Sequence, residues 1–422
     1  MWLGRTSDSE PSTERLAQVF LKPQVGRHRL LLLLAEAVLR PLVLFSGRNS
    51  AAELPPVKRI LVCDCGLLGD AVLLAPFLGG LRNRYPDSHI ALLGRAVSGA
   101  FLLDQNLIDE RLPVELPWDQ RFSFWKRHNP FSLSWTKFFR EVRRLRERRF
   151  DLAVATGWGS DLRENLVIWL GGARRRVGYG YAGGGFFLTD VVPADLTRPH
   201  VLDRNLRLLE HIGMRVVRGG ESLAVNADAG RMVADLLAHH GVANEDLVIG
   251  IHPGAGSAIR EWGHERFAEV GRWAAERFNA RILWFADPGK PKPVPANVEA
   301  IRLALPLAQM MAAVSRCQLF ICNDSGPMHL AAALKVPVVA VFGPQRPEWF
   351  GPYGEGHRVV IRHDMWCRPC GDQCRWKEPY CLRLISVEQV MEAVRATLEC
   401  TESTPAERRG LATRVQTPRA AD

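Results

Sequence analysis

No apolar run in this chain is long enough to cross a membrane as a single helix. Leu30–Phe45 (LLLLLAEAVLRPLVLF) comes near, but it carries Glu36, Arg40 and Pro41, and a span needs roughly 20 apolar residues with few charges. With Lys22, Arg27, Arg29, Arg40 and Arg48 around it, the segment reads as a helix lying in a membrane interface or packed on a domain. The N-terminus lacks the basic n-region and contiguous apolar h-region of a signal peptide. There is no long Lys/Arg run and no nucleic-acid-binding motif, so no nucleic-acid partner is expected. No Gly-x-Gly-x-x-Gly follows the first apolar strand, which argues against a dinucleotide oxidoreductase. Cysteines number nine, an odd count that does not fit a closed disulfide framework. Cys63, Cys65, Cys317 and Cys322 sit in or beside apolar strands, as small buried hydrophobes do in a reducing compartment.

What is present is ample. At 422 residues the chain suits two domains, and 47% apolar composition lets each half bury a core. The formal net charge is +10 and the pI about 9.4. That balance favours an anionic partner, such as a phosphorylated glycolipid or an acidic membrane face.

Apolar strands alternate with helical stretches from Lys58 onward. Strands are predicted at Arg59–Asp64, His89–Gly94, Asp151–Gly157, Leu247–Ile251, Arg281–Ala286, Leu319–Asn323 and Val336–Phe342. Helices are predicted at Asp70–Tyr85, Ser134–Arg149, Asp161–Leu170, Pro199–Ile212, Glu265–Phe278, Leu307–Cys317, Pro327–Leu334 and Ser386–Leu398, the last with Ser386 as N-cap and Glu388 in its first turn. Gly178–Gly185 reads as a loop. The pattern predicts parallel α/β sheets. It divides the chain into an N-terminal extension (1–57), a first Rossmann-like domain (58–225), a second (226–400) and a disordered polar tail (401–422). Ligands of such sheets bind beyond the carboxyl ends of the strands, at helix N-termini.

Four segments carry chemistry. In Phe320–Leu334 (FICNDSGPMHLAAAL) a strand delivers Asn323, Asp324, Ser325 and Gly326, and a helix begins at once, with Ser325 as its expected N-cap. Free N–H groups and the positive end of the helix suit a diphosphate, Gly326 allows close approach, and His329 lies one turn in. In Ile251–Trp262 (IHPGAGSAIREW) small residues again follow a strand. Arg260 offers planar donors for phosphate, while Trp262 can stack or pack and His252 can be structural or ligand-binding. Gly66–Asp70 (GLLGD) follows the first strand, and Asp70 sits where a helix N-terminus keeps a carboxylate ionised. Alone it reads as a cap. Finally, Cys367, Cys370, Cys374 and Cys381 reach zinc-like density at irregular spacing. They read either as a structural zinc site or as free thiols or a local disulfide.

Together these segments resemble glycosyltransferase family 9, the ADP-heptose:lipopolysaccharide heptosyltransferases. The matching pieces are RILVCDCGLLGDAVLLAPFLGGLRNRYPDSHIALL, HPGAGSAIREWGHERFAEV, and NDSGPMHLAAALKVPVVAVFGP followed by GPYG. The Cys-rich stretch running into CLRLISVEQV is similar too, and the likeness covers about residues 58–400. The resemblance implies a GT-B fold, two doubly wound domains facing across a cleft. It implies inverting transfer from a nucleotide-sugar to an anionic glycolipid acceptor of the lipopolysaccharide core, without a catalytic metal, at the inner face of the cytoplasmic membrane. The family's general base falls on Asp70. Its donor residues fall on Asp324, Ser325, Gly326 and His329, beside Asn323. Two positions depart from the family pattern. Arg260 stands where a Lys is usual, and Asp287 is the only carboxylate near the position of a ribose-binding Glu. The other reading is a non-catalytic GT-B relative that binds glycan or nucleotide.

Overall fold

The computed structural model describes residues 56–113, 135–156, 162–181, 183–195, 197–214, 223–289, 293–371, 374–376 and 378–402, with Arg40, Pro41 and Val43. The apolar segment Leu30–Phe45 lies outside the described residues but for those three. Among the described residues no helix is long and apolar enough to cross a membrane. The chain divides into two compact units, with the break after Arg218.

The first unit contains strands β1 (Arg59–Asp64), β2 (His89–Gly94), β3 (Glu110–Pro113), β4 (Leu152–Ala155), β5 (Arg175–Tyr179) and β6 (Asp190–Val192). Its helices are α1 (Leu68–Arg84), α2 (Ala96–Asp104), α3 (Trp135–Glu147), α4 (Leu162–Leu170) and α5 (Val201–His211). The strands form one sheet in the order β3-β2-β1-β4-β5-β6. Every pairing in it is parallel.

The second unit contains α6 (Ala227–His239), β7 (Val248–His252), α7 (His264–Phe278), β8 (Arg281–Phe285), β9 (Ile301–Leu303), α8 (Leu307–Ser315) and β10 (Leu319–Asn323). It continues through α9 (Gly326–Ala333), β11 (Val338–Phe342), α10 (Pro347–Phe350), β12 (Arg358–Ile361), α11 (Tyr380–Arg383) and α12 (Val387–Glu402). Its sheet, β12-β11-β10-β7-β8-β9, is also parallel throughout. Renumbered within the unit, this is the order of the first sheet. Both are doubly wound, and in both the order reverses beside the first strand: between β1 and β4, and between β7 and β10. Those reversals are where such sheets open a ligand crevice.

Burial on both faces explains why the strands read as unbroken apolar runs. In β10, Phe320 and Cys322 join one cluster with Val233 and Leu237 of α6 and Met328 of α9. Leu319 and Ile321 point into the other, against Phe267 and Val270 of α7 and Val390 and Val394 of α12.

The structure extends the expected pattern and corrects one boundary. The stretch between the halves holds α6, whose Ala229, Val233 and Leu237 form one buried stripe. Its cap is Asn226, whose Oδ1 accepts from Ala229 N at 3.0 Å. The last helix runs on to Glu402, into the predicted tail. Ser386 caps it as expected: its Oγ accepts from Gln389 N at 3.3 Å, and Gln389 Oε1 accepts from Ser386 N at 2.9 Å. The short edge strands β3, β6, β9 and β12 have no pattern of their own and exist because a neighbouring strand offers a ladder.

Candidate functional site

In the second unit the sequence-predicted donor residues meet at the β7/β10 reversal. Residues Cys322 and His252 are paired across these strands. The β7 strand therefore delivers the Pro253–Gly256 loop beside the Asn323–Ser325 turn. The links are made by Asn323, which is fully buried. Its Nδ2 donates to Pro253 O at 2.7 Å and lies 3.4 Å from Gly254 O. Its Oδ1 accepts from Trp262 N at 3.0 Å. The side chain expected to touch donor is thus engaged by backbone on both sides and braces the walls of the site.

Asp324 is 3% exposed, and its Oδ2 lies 3.5 Å from Arg260 Nη1. The guanidinium, whose side chain is 22% exposed, is carried by the last residue of a single 3-10 turn, Ala258–Arg260. It therefore faces both the buried carboxylate and solvent. A buried carboxylate needs such a partner, because its desolvation is otherwise too costly.

Ser325 occupies the N-cap position of α9, but its side chain makes no cap bond. Its hydroxyl donates to Asn323 O at 3.2 Å instead. The expected capping role is corrected, and with it the reason for a serine here: the hydroxyl tightens the turn behind Gly326. Pro327 lies in the first turn of α9, as predicted. His329 is 7% exposed on the same helix. Trp262 is structural: it is 4% exposed, its Nε1 donates to Ile385 O at 3.0 Å, and its ring meets Phe267 edge-on.

His252 ends β7 and Asp287 lies two residues beyond β8, close enough for the carboxylate to act on the imidazole. Asp287 is exposed and folds its own turn, accepting from Gly289 N at 3.0 Å. Burial pushes the His252 imidazole down to about 4 from 6.5, and its Nδ1 is sealed from solvent without a hydrogen-bond partner. The folded chain therefore refuses a proton that the unfolded chain accepts between these values. Stability contributed by the neutral ring is lost as pH falls through this window, by about 2 kcal/mol at pH 5. A His252→Gln variant is expected to show a flatter fall in Tm between pH 7 and 5; parallel curves would place the acid sensitivity elsewhere.

In the first unit, Asp70 lies in the first turn of α1, and its Oδ2 accepts from Leu67 N at 2.6 Å. The capping role is real. A carboxylate has lone pairs for several donors, so capping through one oxygen does not by itself exclude proton transfer. The sequence reading missed two neighbours. Asp64, 2% exposed at the end of β1, accepts from Gly66 N at 2.7 Å and from the Thr156 hydroxyl at 3.0 Å. Thr156 follows β4, so this contact crosses the β1/β4 reversal. A charged residue closing an otherwise apolar strand was the signal available.

The cysteine quartet is not gathered as a metal cage. Among the described residues no group of three or more His, Cys, Asp or Glu side chains is placed to hold an ion, and all four are free thiols. They remain near one another: burial first, then Cys374, Cys381 and Cys367, push the Cys370 thiol up to about 11.

Comparison with known proteins bears on the family and the fold. Residues 138–380 match the model of glycosyltransferase family 9 (heptosyltransferase). Lipooligosaccharide heptosyltransferase 2 of Campylobacter jejuni subsp. jejuni serotype O:2 is 30% identical over 171 residues, 37% of this chain and 52% of that protein. The chain thus spans about half the length of that relative. Lipopolysaccharide heptosyltransferase 2 of Escherichia coli K12 is 24% identical over 331 residues, 72% of this chain and 87% of that one. Among solved structures, the family 9 glycosyl transferase from Veillonella parvula DSM 2008 superposes with a TM-score of 0.67 at 27% identity, covering 83% of this chain and 99% of that one. With more than half its length under the family model and its two doubly wound units matched by a family structure, the chain belongs to glycosyltransferase family 9.

Proposed function

We propose that this protein is an inverting glycosyltransferase that moves a heptose from an ADP-heptose-type donor to a lipopolysaccharide-core or related glycan acceptor. The observation that carries the reading is the Arg260–Asp324 pair at the β7/β10 reversal, beside the N-terminus of α9. A cation, free helix N–H groups and a shielded carboxylate meet there. Arg260 and the first N–H groups of α9 suit the diphosphate. Asp324 repels phosphate and suits sugar hydroxyls, which donate to it. Asp287, with one oxygen on Gly289 N, is the carboxylate available to a ribose. The names of the Campylobacter and E. coli relatives support heptose, and a lipooligosaccharide or lipopolysaccharide acceptor respectively.

In the mechanism, Asp70 takes the proton of the acceptor hydroxyl as its oxygen attacks the anomeric carbon. The bond from that carbon to the diphosphate oxygen breaks, and the negative charge that develops is held by Arg260 and the α9 N–H groups. The configuration inverts because attack comes from the face opposite the leaving group. The acceptor's anionic groups and the chain's +10 charge suit work at the inner face of the cytoplasmic membrane. The deciding experiment is a thermal-shift screen of ADP-, UDP- and GDP-sugars followed by transfer assays. Stabilisation by ADP-heptose alone, with transfer, supports the reading; a preference for a UDP- or GDP-sugar sinks it.

Two further outcomes follow. Arg260→Ala is expected to weaken ADP binding at least about tenfold and to lower Tm, because the buried Asp324 carboxylate loses the Arg260 guanidinium at 3.5 Å. Arg260→Lys keeps the charge but not the planar fork, and isothermal titration should place it between the two. Since a protein cation takes the diphosphate charge, EDTA is expected to leave the transfer rate within twofold of its untreated value.

A further inference from the structure

The β1–α1 turn is held from several directions, and one of its anchors is a buried charge. Asp64 Oδ1 accepts from Gly66 N at 2.7 Å, and Asp64 Oδ2 lies 3.0 Å from the Thr156 hydroxyl. Ser98 Oγ donates to Gly66 O at 3.1 Å, and Arg95 Nε donates to Cys65 O at 3.1 Å. Leu67, next along, donates its N–H to Asp70. A continuous path of hydrogen bonds and two peptide units thus runs from Thr156 through Asp64 and Gly66 to Asp70.

Residue 66 also sits between the two carboxylates. A Cβ there would lie 2.7 Å from Asp64 Oδ1, 2.7 Å from Asp70 Cγ and 2.3 Å from Asp70 Cβ. Both side chains therefore press on the same point, and Asp70 cannot move toward β1 without meeting the residue that Asp64 holds. Burying Asp64 at 2% exposure is costly in itself. The hydrogen bonds from Gly66 N and the Thr156 hydroxyl offset part of that cost, and both bear on the turn that presents Asp70.

We propose that Asp64 is a positioning residue for the transfer reaction, holding the Asp70-bearing turn through Gly66 N–H and, by way of Thr156, fixing it to the strand across the sheet reversal. The inference rests on the reading of Asp70 as general base. A base must stand within hydrogen-bond reach of the proton it takes, and small misplacements lower the rate steeply. The role is distinct from fold maintenance because the strand ladder of β1 with β2 and β4 does not depend on the carboxylate.

The test is steady-state kinetics on the full chain with melting curves alongside. Asp64→Ala is expected to lower kcat by about tenfold to hundredfold, with the donor KM within twofold of wild type. Asp64→Asn supplies an acceptor for Gly66 N–H and a donor for Thr156, and is expected to recover most of the loss. Folded Asp64→Ala protein with wild-type kcat overturns the proposal, and so does failure of Asp64→Asn to improve on it. Should Asp64→Ala not fold, Gly66→Ala asks the same question. Its Cβ displaces the Asp70 side chain, so a lowered kcat at unchanged donor KM supports the proposal and a wild-type kcat overturns it. Asp70→Asn is run in parallel. If it is inactive while Asp64→Ala is fully active, the positioning role alone falls. If Asp70→Asn is itself fully active, the base assignment falls and takes this inference with it.

Discussion

Asp70→Asn is expected to lower transfer by about two to four orders of magnitude while leaving the protein's stability almost unchanged. The reason is the double duty of the carboxylate. As a cap it accepts from Leu67 N–H, and an asparagine amide oxygen accepts equally well. As a base it must take a proton, which an amide does not do at neutral pH. Asp70→Ala removes both functions and should add a loss of about 1 kcal/mol for the missing cap. The two variants thus separate capping from catalysis. Equal melting temperatures for wild type and Asp70→Asn, with transfer rates far apart, is the expected outcome. The residues proposed to hold the donor belong to the second unit, so ADP affinity of both variants should stay within twofold. Wild-type turnover in Asp70→Asn would end the general-base assignment.

The largest effect on stability is expected at Asn323. Replacing it by Ala leaves the Trp262 N–H and the Pro253 carbonyl without their side-chain partner in a fully buried place. Orphaned buried polar groups cost about 1–3 kcal/mol each, so a loss of about 3 kcal/mol is expected, seen as a shift in the urea midpoint. Donor affinity should fall with it, because the Pro253–Gly256 loop and the Asn323–Ser325 turn are no longer tied. Asn323→Asp is the sharper test. The carboxylate still accepts from Trp262 N–H, but its other oxygen then faces the Pro253 carbonyl, acceptor against acceptor, as a buried charge. It should be at least as damaging as Ala. A well-tolerated Asp would mean that the Asn323 amide does not donate to Pro253.

A comparison of Asn323 and Asp70 separates what is local from what is not. Asp70 caps its own helix through a neighbour three residues away, a relation visible in the sequence. Asn323 reaches Pro253 and Trp262, some sixty to seventy residues off. Its motif marked it as belonging to the site but said nothing of which groups its amide would meet. Ser325 failed for a related reason. N-cap preference favours serine at that position, but an extended backbone at φ −156° and ψ 168° directs its hydroxyl to Asn323 O.

The class of architecture, and the segments proposed to form the site, were legible in the amino-acid order alone. Leu319–Asn323 forms the strand expected of it, residue for residue, because an unbroken apolar run ended by polar and small residues admits little else. The small and polar segments after β1, β7 and β10 were legible as the ligand-facing ends of strands, since helix N-termini attract anions whatever the surrounding fold. Only the tertiary structure decided the strand order 3-2-1-4-5-6 in each unit, and with it the partners. Asp64 meets Thr156 because β1 lies beside β4, and Asn323 meets Pro253 because β10 lies beside β7. Hydrogen bonds between such distant residues depend on which strands adjoin and in what register. Local propensity and periodicity describe each strand alone, and that neighbour choice is made only when both faces of the sheet are packed.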